Sequence, residues 1–336
     1  MEAFDTERLN SYLEDHAAGF RGLAKAEKFP GGQSNPTWLL SAASGRYVLR
    51  SKPPGQLLKS AHAVDREFRV ISALADTDVP VARALHLCED EDVTGTMFYV
   101  MSYEEGRIFW DPALQEIGRE ERMDYHRELI RVLAAIHEVD IDAAGLADYG
   151  RPGNYYERQI SRWTKQYKAA ETTQIEPMDA LMDWLPANTP ADDGRNGLIH
   201  GDYRIDNIIF HPGDTRALAV IDWELSTLGH PLSDLAYYCM CLRLPADGDV
   251  KGLAGKDRNA LGVPEEQEII EQYGEFRRLS AIENWYFYLA FSYFRMASIC
   301  QGVYKRGLDG NASSTRALEM GRLVEPMAAS AVELVS

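Results

Sequence analysis

The chain has 336 residues, 45% hydrophobic and 26% charged, an ordinary globular balance for one large structural unit or two smaller ones. Lys plus Arg total 35 against 52 Asp plus Glu, a net charge of -17. That field repels phosphate backbones and no Lys/Arg-rich run offsets it, so nucleic acid is not an expected partner. The N-terminal MEAFDTERLN lacks the basic and apolar regions of a secretory signal. The most apolar late stretch, Trp285 to Phe291, falls short of the ~20 residues that span a bilayer. Cys88, Cys239, Cys241 and Cys300 show neither metal nor disulfide spacing. A soluble cytoplasmic protein is the expectation, with its oligomeric state left open.

In chain order, Thr37 to Ala42 and Tyr47 to Arg50 are β-rich, and Ala43-Ser44-Gly45-Arg46 between them signals a hairpin. Pro53-Pro54-Gly55 stops the second strand. From Ala61 to Ala75, Val64, Phe68, Ile71 and Ala75 recur at the spacing of one helical face. Thr96 to Met101 reads as a further strand. After Tyr103 helical periodicity takes over, across Arg119 to His137, Tyr155 to Ala170 and Met178 to Leu185. Short apolar runs follow at Leu198-Ile199, Ile208 to Phe210 and Leu218 to Ile221, and helix predominates from Asp234 onward. The expected fold class is α+β, with a β-rich first part, a mostly helical second part and a boundary near residues 102–106.

The densest chemistry lies in His200-Gly201-Asp202-Tyr203-Arg204-Ile205-Asp206-Asn207, with Asp222 fifteen residues later behind an apolar strand. Phosphoryl transfer needs an acid to orient a hydroxyl nucleophile and oxygen ligands to hold Mg²⁺ on the nucleotide phosphates. An Asp followed five residues later by an Asn can supply the first role and one ligand. The Asp after the next strand can supply the second, since Mg²⁺ takes hard oxygen donors and few carboxylates. The plainer alternative is that Asp202 and Asn207 only bond turn backbone; the kinase-like spacing of the whole set favours chemistry.

The segment HGDYRIDN…VIDWE…GHPLSDLA resembles the aminoglycoside phosphotransferase and choline kinase branch of the protein-kinase-like fold, over nearly the whole chain. Upstream, GGQSNPTWLL and YVLRSKPPG…AHAVDREF are similar to the subgroup with kinase-like domains fused to acyl-CoA dehydrogenases in animals. The resemblance implies two lobes, 1–103 as a nucleotide-covering N-lobe and 104–336 as a C-lobe with catalytic loop, metal site and acceptor-binding helices. It implies Asp202 as catalytic base and Asn207 and Asp222 as Mg²⁺ ligands. Gly31, Gly32, Gln33, Ser34 and Asn35 would form the loop over the nucleotide phosphates, where glycine admits close backbone approach. The β3 lysine of kinases falls by register on Arg50, with Lys52 on the same strand face, and Glu67 is the expected ion-pair partner of Arg50. Val100 to Tyr103 takes the place of the inter-lobe hinge, so Ser102 and Tyr103 would present backbone groups to adenine. Arg204 would either offset phosphate charge or pair with a neighbouring carboxylate such as Asp206. Glu224 would either touch a second Mg²⁺ or, as the preferred reading, cap or pair locally; Asp234 is read as a brace of the catalytic loop, and His137 and His200 as hydrogen-bonded structural histidines.

Only eleven residues separate Asp222 from Asp234 and no A-P-E follows, which leaves no activation segment and argues against a protein kinase. The expected donor is ATP, with GTP as an alternative, and the cofactor Mg²⁺. The acceptor is expected to be a small hydroxylated molecule, a hydroxyacyl compound such as hydroxyacyl-CoA by the subgroup resemblance. An aminoglycoside acceptor and a non-catalytic nucleotide-binding protein are the alternatives. Tyr155, Tyr156, Trp163, Tyr167, Trp184, Trp285 to Tyr288 and Phe294 either pack the core or line the acceptor pocket.

Overall fold

The computed structural model describes residues 4–30, 35–53, 63–151, 153–248, 250–311 and 316–336. The chain opens with α1 (Thr6–His16), β1 (Leu23–Lys28), β2 (Thr37–Ala42), β3 (Gly45–Ser51), α2 (Val64–Ala73), β4 (Ala84–Cys88), α3 (Glu91–Thr94) and β5 (Phe98–Ser102). Helices α4 (Arg122–Glu138), α5 (Tyr155–Ala170) and α6 (Glu176–Ala187) follow. Four short strands come next, β6 (Gly197–Ile199), β7 (Ile208–Phe210), β8 (Ala217–Val220) and β9 (Thr227–Gly229). The remainder is α7 (Leu232–Leu242), α8 (Arg258–Leu261), α9 (Glu266–Arg277), α10 (Trp285–Leu308) and α11 (Gly321–Val335). The expected strand of Thr37 to Ala42 and helix of Tyr155 to Ala170 have those bounds, and the α+β division into a sheet-rich and a helical part holds.

Two compact units emerge, both discontinuous in sequence. The first comprises Met1–Ile108, Ala143–Leu146 and Asp206–Ser226; the second comprises Phe109–Asp142, Ala147–Ile205 and Thr227–Ser336.

The first unit is built on a five-stranded antiparallel sheet in the order β1-β2-β3-β5-β4. The Ala42↔Gly45 pair closes the expected β2–β3 hairpin. Its core gathers Leu9, Leu13, Phe20, Trp38, Leu40, Leu49, Phe98 and Val100. Trp38 and Leu40 enter it by the two-residue alternation of β2. α2 buries Val64, Glu67, Val70 and Ile71 on one face, so its single carboxylate on that side needs a partner. The β7–β8 hairpin belongs to the same unit, and the Ile221 amide donates to the Asn207 carbonyl at 2.9 Å one step beyond the Ile208↔Val220 pair. That bond pairs Asn207 with Ile221, the residue just before Asp222, so both lie at one end of the hairpin.

The second unit is helical. α10 packs against α5, α7 and α11, and α4 against α9. Every residue of α7 is buried, so its polar groups must find partners inside the unit. β6 and β9 form a two-stranded antiparallel ladder, and the loop that carries His200 to Arg204 leaves the end of β6. Among the described residues, no helix is long and apolar enough to cross a membrane.

Candidate active site

The candidate residues fall into two groups, one in each unit. In the first unit Arg50 extends from β3 and is the hub. Its Nε lies 2.8 Å from Glu67 Oε2, the ion pair expected from sequence. Its Nη2 lies 2.5 Å from Asp222 Oδ1 and 3.9 Å from Glu224 Oε2. Lys52 instead stands 3.7 Å from the more exposed Asp65, so Arg50 is the cation beside Asp222. Glu67, only 1% exposed, also accepts from Asn35 Nδ2 at 2.7 Å and from the Tyr99 hydroxyl at 3.2 Å. Asn35 Nδ2 reaches Glu224 Oε2 as well, at 3.4 Å, so Glu224 is a local pairing group.

The electrostatics follow from crowding. Burial raises the pKa of Glu67, to about 7, against the pull of Arg50 and with the push of Asp222 and Glu224. Burial opposes the charge on Arg50, but Glu67 and the neighbouring carboxylates hold its pKa above the ordinary arginine value. One guanidinium therefore faces three carboxylates, an imbalance that a divalent cation would offset. Among the described residues no three His, Cys, Asp or Glu side chains converge on one metal position. Mg²⁺ takes one or two protein ligands and fills its shell with phosphate oxygens and water. Asp222 Oδ atoms and the side-chain oxygen of buried Asn207, adjacent by the hairpin bond above, are the donors that could hold it. Asp222 also sits in left-handed backbone, φ 65°, a region that Asp tolerates better than most residues with a Cβ.

Gly31, Gly32, Gln33 and Ser34 lie outside the described residues. The amides of Ser102 and Tyr103, expected at an adenine-binding hinge, donate to the carbonyls of Arg83 at 2.9 Å and Arg46 at 3.4 Å.

In the second unit the loop after β6 is pinned from below. Asp234, 1% exposed on α7, accepts from the His200 amide at 2.6 Å and the Gly201 amide at 2.9 Å. His137 Nε2 stands 3.4 Å from the same carboxylate, and its Nδ1 is 2.7 Å from the Tyr273 hydroxyl. Burial alone would raise the pKa of Asp234; the His137 contact and the amide bonds hold it below the usual carboxylate range. Gly201 turns with φ 85°, where a side chain would be strained, and its carbonyl accepts from Arg295 Nη2 at 2.8 Å. The Tyr203 hydroxyl donates to the Leu129 carbonyl at 2.7 Å.

On this platform Asp202 keeps one-fifth of its side chain exposed. Its Oδ1 accepts from the Tyr237 hydroxyl at 2.6 Å and lies 3.2 Å from Arg204 Nε, so Asp202 is a carboxylate that Arg204 meets. Burial, with nearby Cys241 and Asp202, pushes the pKa of Tyr237 well up, so its hydroxyl remains a donor. The carboxylate is thus aimed by the Tyr237 hydrogen bond and the Arg204 ion pair and is still accessible, the requirement for orienting a hydroxyl.

Tyr99, Tyr237 and Arg295 were not singled out from sequence. Tyr237 follows Asp234 by one helical turn on α7, and that spacing was the available signal. Arg295, inside the aromatic run of α10, carried none. Of the aromatic candidates, Tyr156, Tyr167, Phe287, Tyr288 and Phe294 are buried. Tyr156 packs edge-on against Phe287 and Phe291, as core residues do. Tyr156 and Tyr288 also border a cavity of about 250 Å³ with His230.

The profile of the phosphotransferase enzyme family matches residues 25–269. The chain is 46% identical to mouse acyl-CoA dehydrogenase family member 10 and 42% identical to human member 11. These alignments cover 95% and 98% of the chain but 30% and 43% of the relatives, so the chain spans less than half their length. A solved Ralstonia eutropha protein, provisionally assigned as an aminoglycoside phosphotransferase, superposes with a TM-score of 0.90 at 49% identity, over 98% of both chains. Spectinomycin phosphotransferase, solved with ADP and spectinomycin, shares the fold at a TM-score of 0.64 and 14% identity, again over 98% of both chains. A profile match over most of the chain and close identity to a solved relative along its whole length place this chain in the phosphotransferase enzyme family.

Proposed function

We propose that the protein transfers the γ-phosphate of a nucleoside triphosphate to a hydroxyl of a small acceptor, with ATP as the donor, GTP as the alternative and a hydroxyacyl compound as the acceptor class. The observation that carries this reading is the pinned, partly exposed Asp202, followed five residues on in sequence by Asn207 and, beyond the β7–β8 hairpin, by Asp222 in left-handed backbone. Residues 1–103 are assigned the nucleotide-covering role, including Gly31 to Asn35 and the hinge positions Ser102 and Tyr103. Residues 104–336 are assigned the catalytic, metal and acceptor roles.

Asp202 orients the acceptor hydroxyl and takes its proton as the new P–O bond forms and the bond to the leaving diphosphate breaks. Tyr237 and Arg204 hold the carboxylate in place. Arg50, fixed by Glu67, offsets phosphate charge next to Asp222. Asn207 and Asp222 would hold Mg²⁺, which neutralises charge on the phosphates when bound. The four cysteines are buried free thiols, which suits a reducing compartment such as the cytoplasm.

The test is mass spectrometry of a 4-hydroxyacyl-CoA incubated with the protein and Mg·ATP, beside an Asp202→Asn variant and an aminoglycoside control. A phosphate mass gain on the acyl compound that disappears in the variant is the expected result. Gain on the aminoglycoside alone would move the protein to the antibiotic-modifying branch, and wild-type turnover in the variant would refute the role of Asp202.

A further inference from the structure

Lys and Arg are outnumbered by Asp and Glu on this chain, 35 against 52, yet four of them line one open pocket of about 810 Å³ in the helical unit. Arg151, Arg158, Arg162 and Lys165 face it with a single carboxylate, Glu157. Arg158, Arg162 and Lys165 recur at helical spacing along α5. Among the described residues no ion pair holds Arg151, Arg162 or Lys165. Lys168, further along the same helix, is engaged by Glu171 and Asp179 at 3.2 and 3.0 Å. A solvated helix face ordinarily intersperses both signs; concentrating one sign in a concavity makes an anion site. Guanidinium forks match phosphate oxygens in particular.

The pocket is tied to the catalytic loop within the same unit. Its floor is Gly150 against Thr227 and Leu228, where a Cβ on Gly150 would meet Leu228 N at 2.6 Å and Thr227 Oγ1 at 2.7 Å. Thr227 pairs with Ile199 across the β6–β9 ladder, and Asp202 lies three residues beyond Ile199. Paired residues are about 5 Å apart and each extended residue adds at most ~3.6 Å, so the Thr227 and Asp202 Cα atoms lie within roughly 16 Å. From the other side, the Trp163 ring lies 5.4 Å from the guanidinium of Arg162 and 5.9 Å from that of Arg295. Arg295 in turn holds the Gly201 carbonyl.

We infer that this pocket holds the phosphate-bearing end of the acceptor, a tail of two or three phosphate groups on the molecule whose hydroxyl Asp202 orients. The word acceptor rests on the reaction proposed above; the polyphosphate site stands without it. Arg151 and Arg158 take the phosphates at the pocket mouth, where Arg158 is steadied by a 2.6 Å bond to the Arg151 carbonyl. Arg162 and Lys165 take those along the helix.

Calorimetric titration of the full chain with free coenzyme A, which carries a diphosphate and a separate phosphate monoester, reads the pocket. Saturating Mg²⁺ and a non-hydrolysable ATP analogue block nucleotide binding elsewhere. The expected result is binding that weakens as salt rises and falls roughly tenfold, about 1.4 kcal/mol, in an Arg158→Gln/Arg162→Gln/Lys165→Gln variant. Lys165→Glu alone, at an exposed position, shows the same direction should the triple variant fold poorly. No binding, or equal binding in the variants, overturns the site. Kinetics then separate two sources of phosphate. The variant should raise the KM of a hydroxyacyl-coenzyme A far more than that of the same acyl group on N-acetylcysteamine, which has no phosphates. If inorganic tripolyphosphate binds the pocket and both thioesters respond alike, the ligand is a free polyphosphate and the acceptor assignment is overturned. Absence of turnover on either thioester refutes the proposed reaction and that assignment, while calorimetry still decides the polyphosphate site.

Discussion

Replacement of Asp234 by Asn tests whether the catalytic loop is held by charge. The wild-type carboxylate accepts from two loop amides, at 2.6 and 2.9 Å, with His137 at 3.4 Å, and is all but inaccessible to solvent. Asn keeps the shape but offers one oxygen and an NH₂, so one of the two amides faces a donor. Losing a charge-assisted bond and leaving buried donors unmatched costs about 3–5 kcal/mol. At roughly 2–4 °C per kcal/mol, Tm should fall by about 6–20 °C in thermal unfolding followed by circular dichroism. The pH profile gives a second reading. The folded pKa of Asp234 lies below its unfolded value of about 3.9. Its contribution is therefore present above about pH 4 and is lost as pH falls through the folded pKa. The Asn variant should lack that part of the acid limb. A variant within about 1 kcal/mol of wild type at neutral pH, with the same acid limb, would refute the idea that Asp234 pins the loop.

Three further outcomes are expected. Arg50→Met leaves Glu67 buried without its cation and should destabilise by about 3–5 kcal/mol at pH 8. Because burial already raises Glu67 to about 7, the carboxyl can take a proton at lower pH, so the loss should shrink by pH 6; urea unfolding at both values checks it, and a pH-independent loss would contradict it. Tyr237→Phe keeps the packing but removes the 2.6 Å bond to Asp202; steady-state assays should show kcat reduced about tenfold, with the acceptor KM little changed. Mg·ATP at about 100 Kd should stabilise the chain by about 2.7 kcal/mol, more than ATP with a chelator; a shift in Asp222→Asn equal to wild type would remove that residue from the metal site.

Much of the candidate site was legible because the chemistry proposed for it, phosphoryl transfer, constrains both residue types and their spacing. Asp202, Asn207 and Asp222 stand out as hard oxygen donors beside short apolar strands, and local periodicity marks those strands. The Arg50–Glu67 pair was readable for a related reason: a carboxylate on the apolar face of α2 requires a cation, and strand register supplied one. The sequence left Arg204 between two roles, and the structure adds a carboxylate partner for it that sequence reasoning had not named, Asp202. The strands β1, β4 and β9 went unread, since their two-residue alternation is weak or their length too short to register.

The family and the fold class were thus readable from local pattern and motif spacing, which also singled out the oxygen donors proposed for the site. The tertiary structure alone decided which side chains support them. Tyr237 aims Asp202 from 35 residues away and Arg295 holds Gly201 from 94 residues away. Four scattered cations share one pocket with a strand that pairs with the catalytic one. Such contacts depend on how helices pack, and hydrophobic periodicity states which face of a helix is buried without stating what it meets.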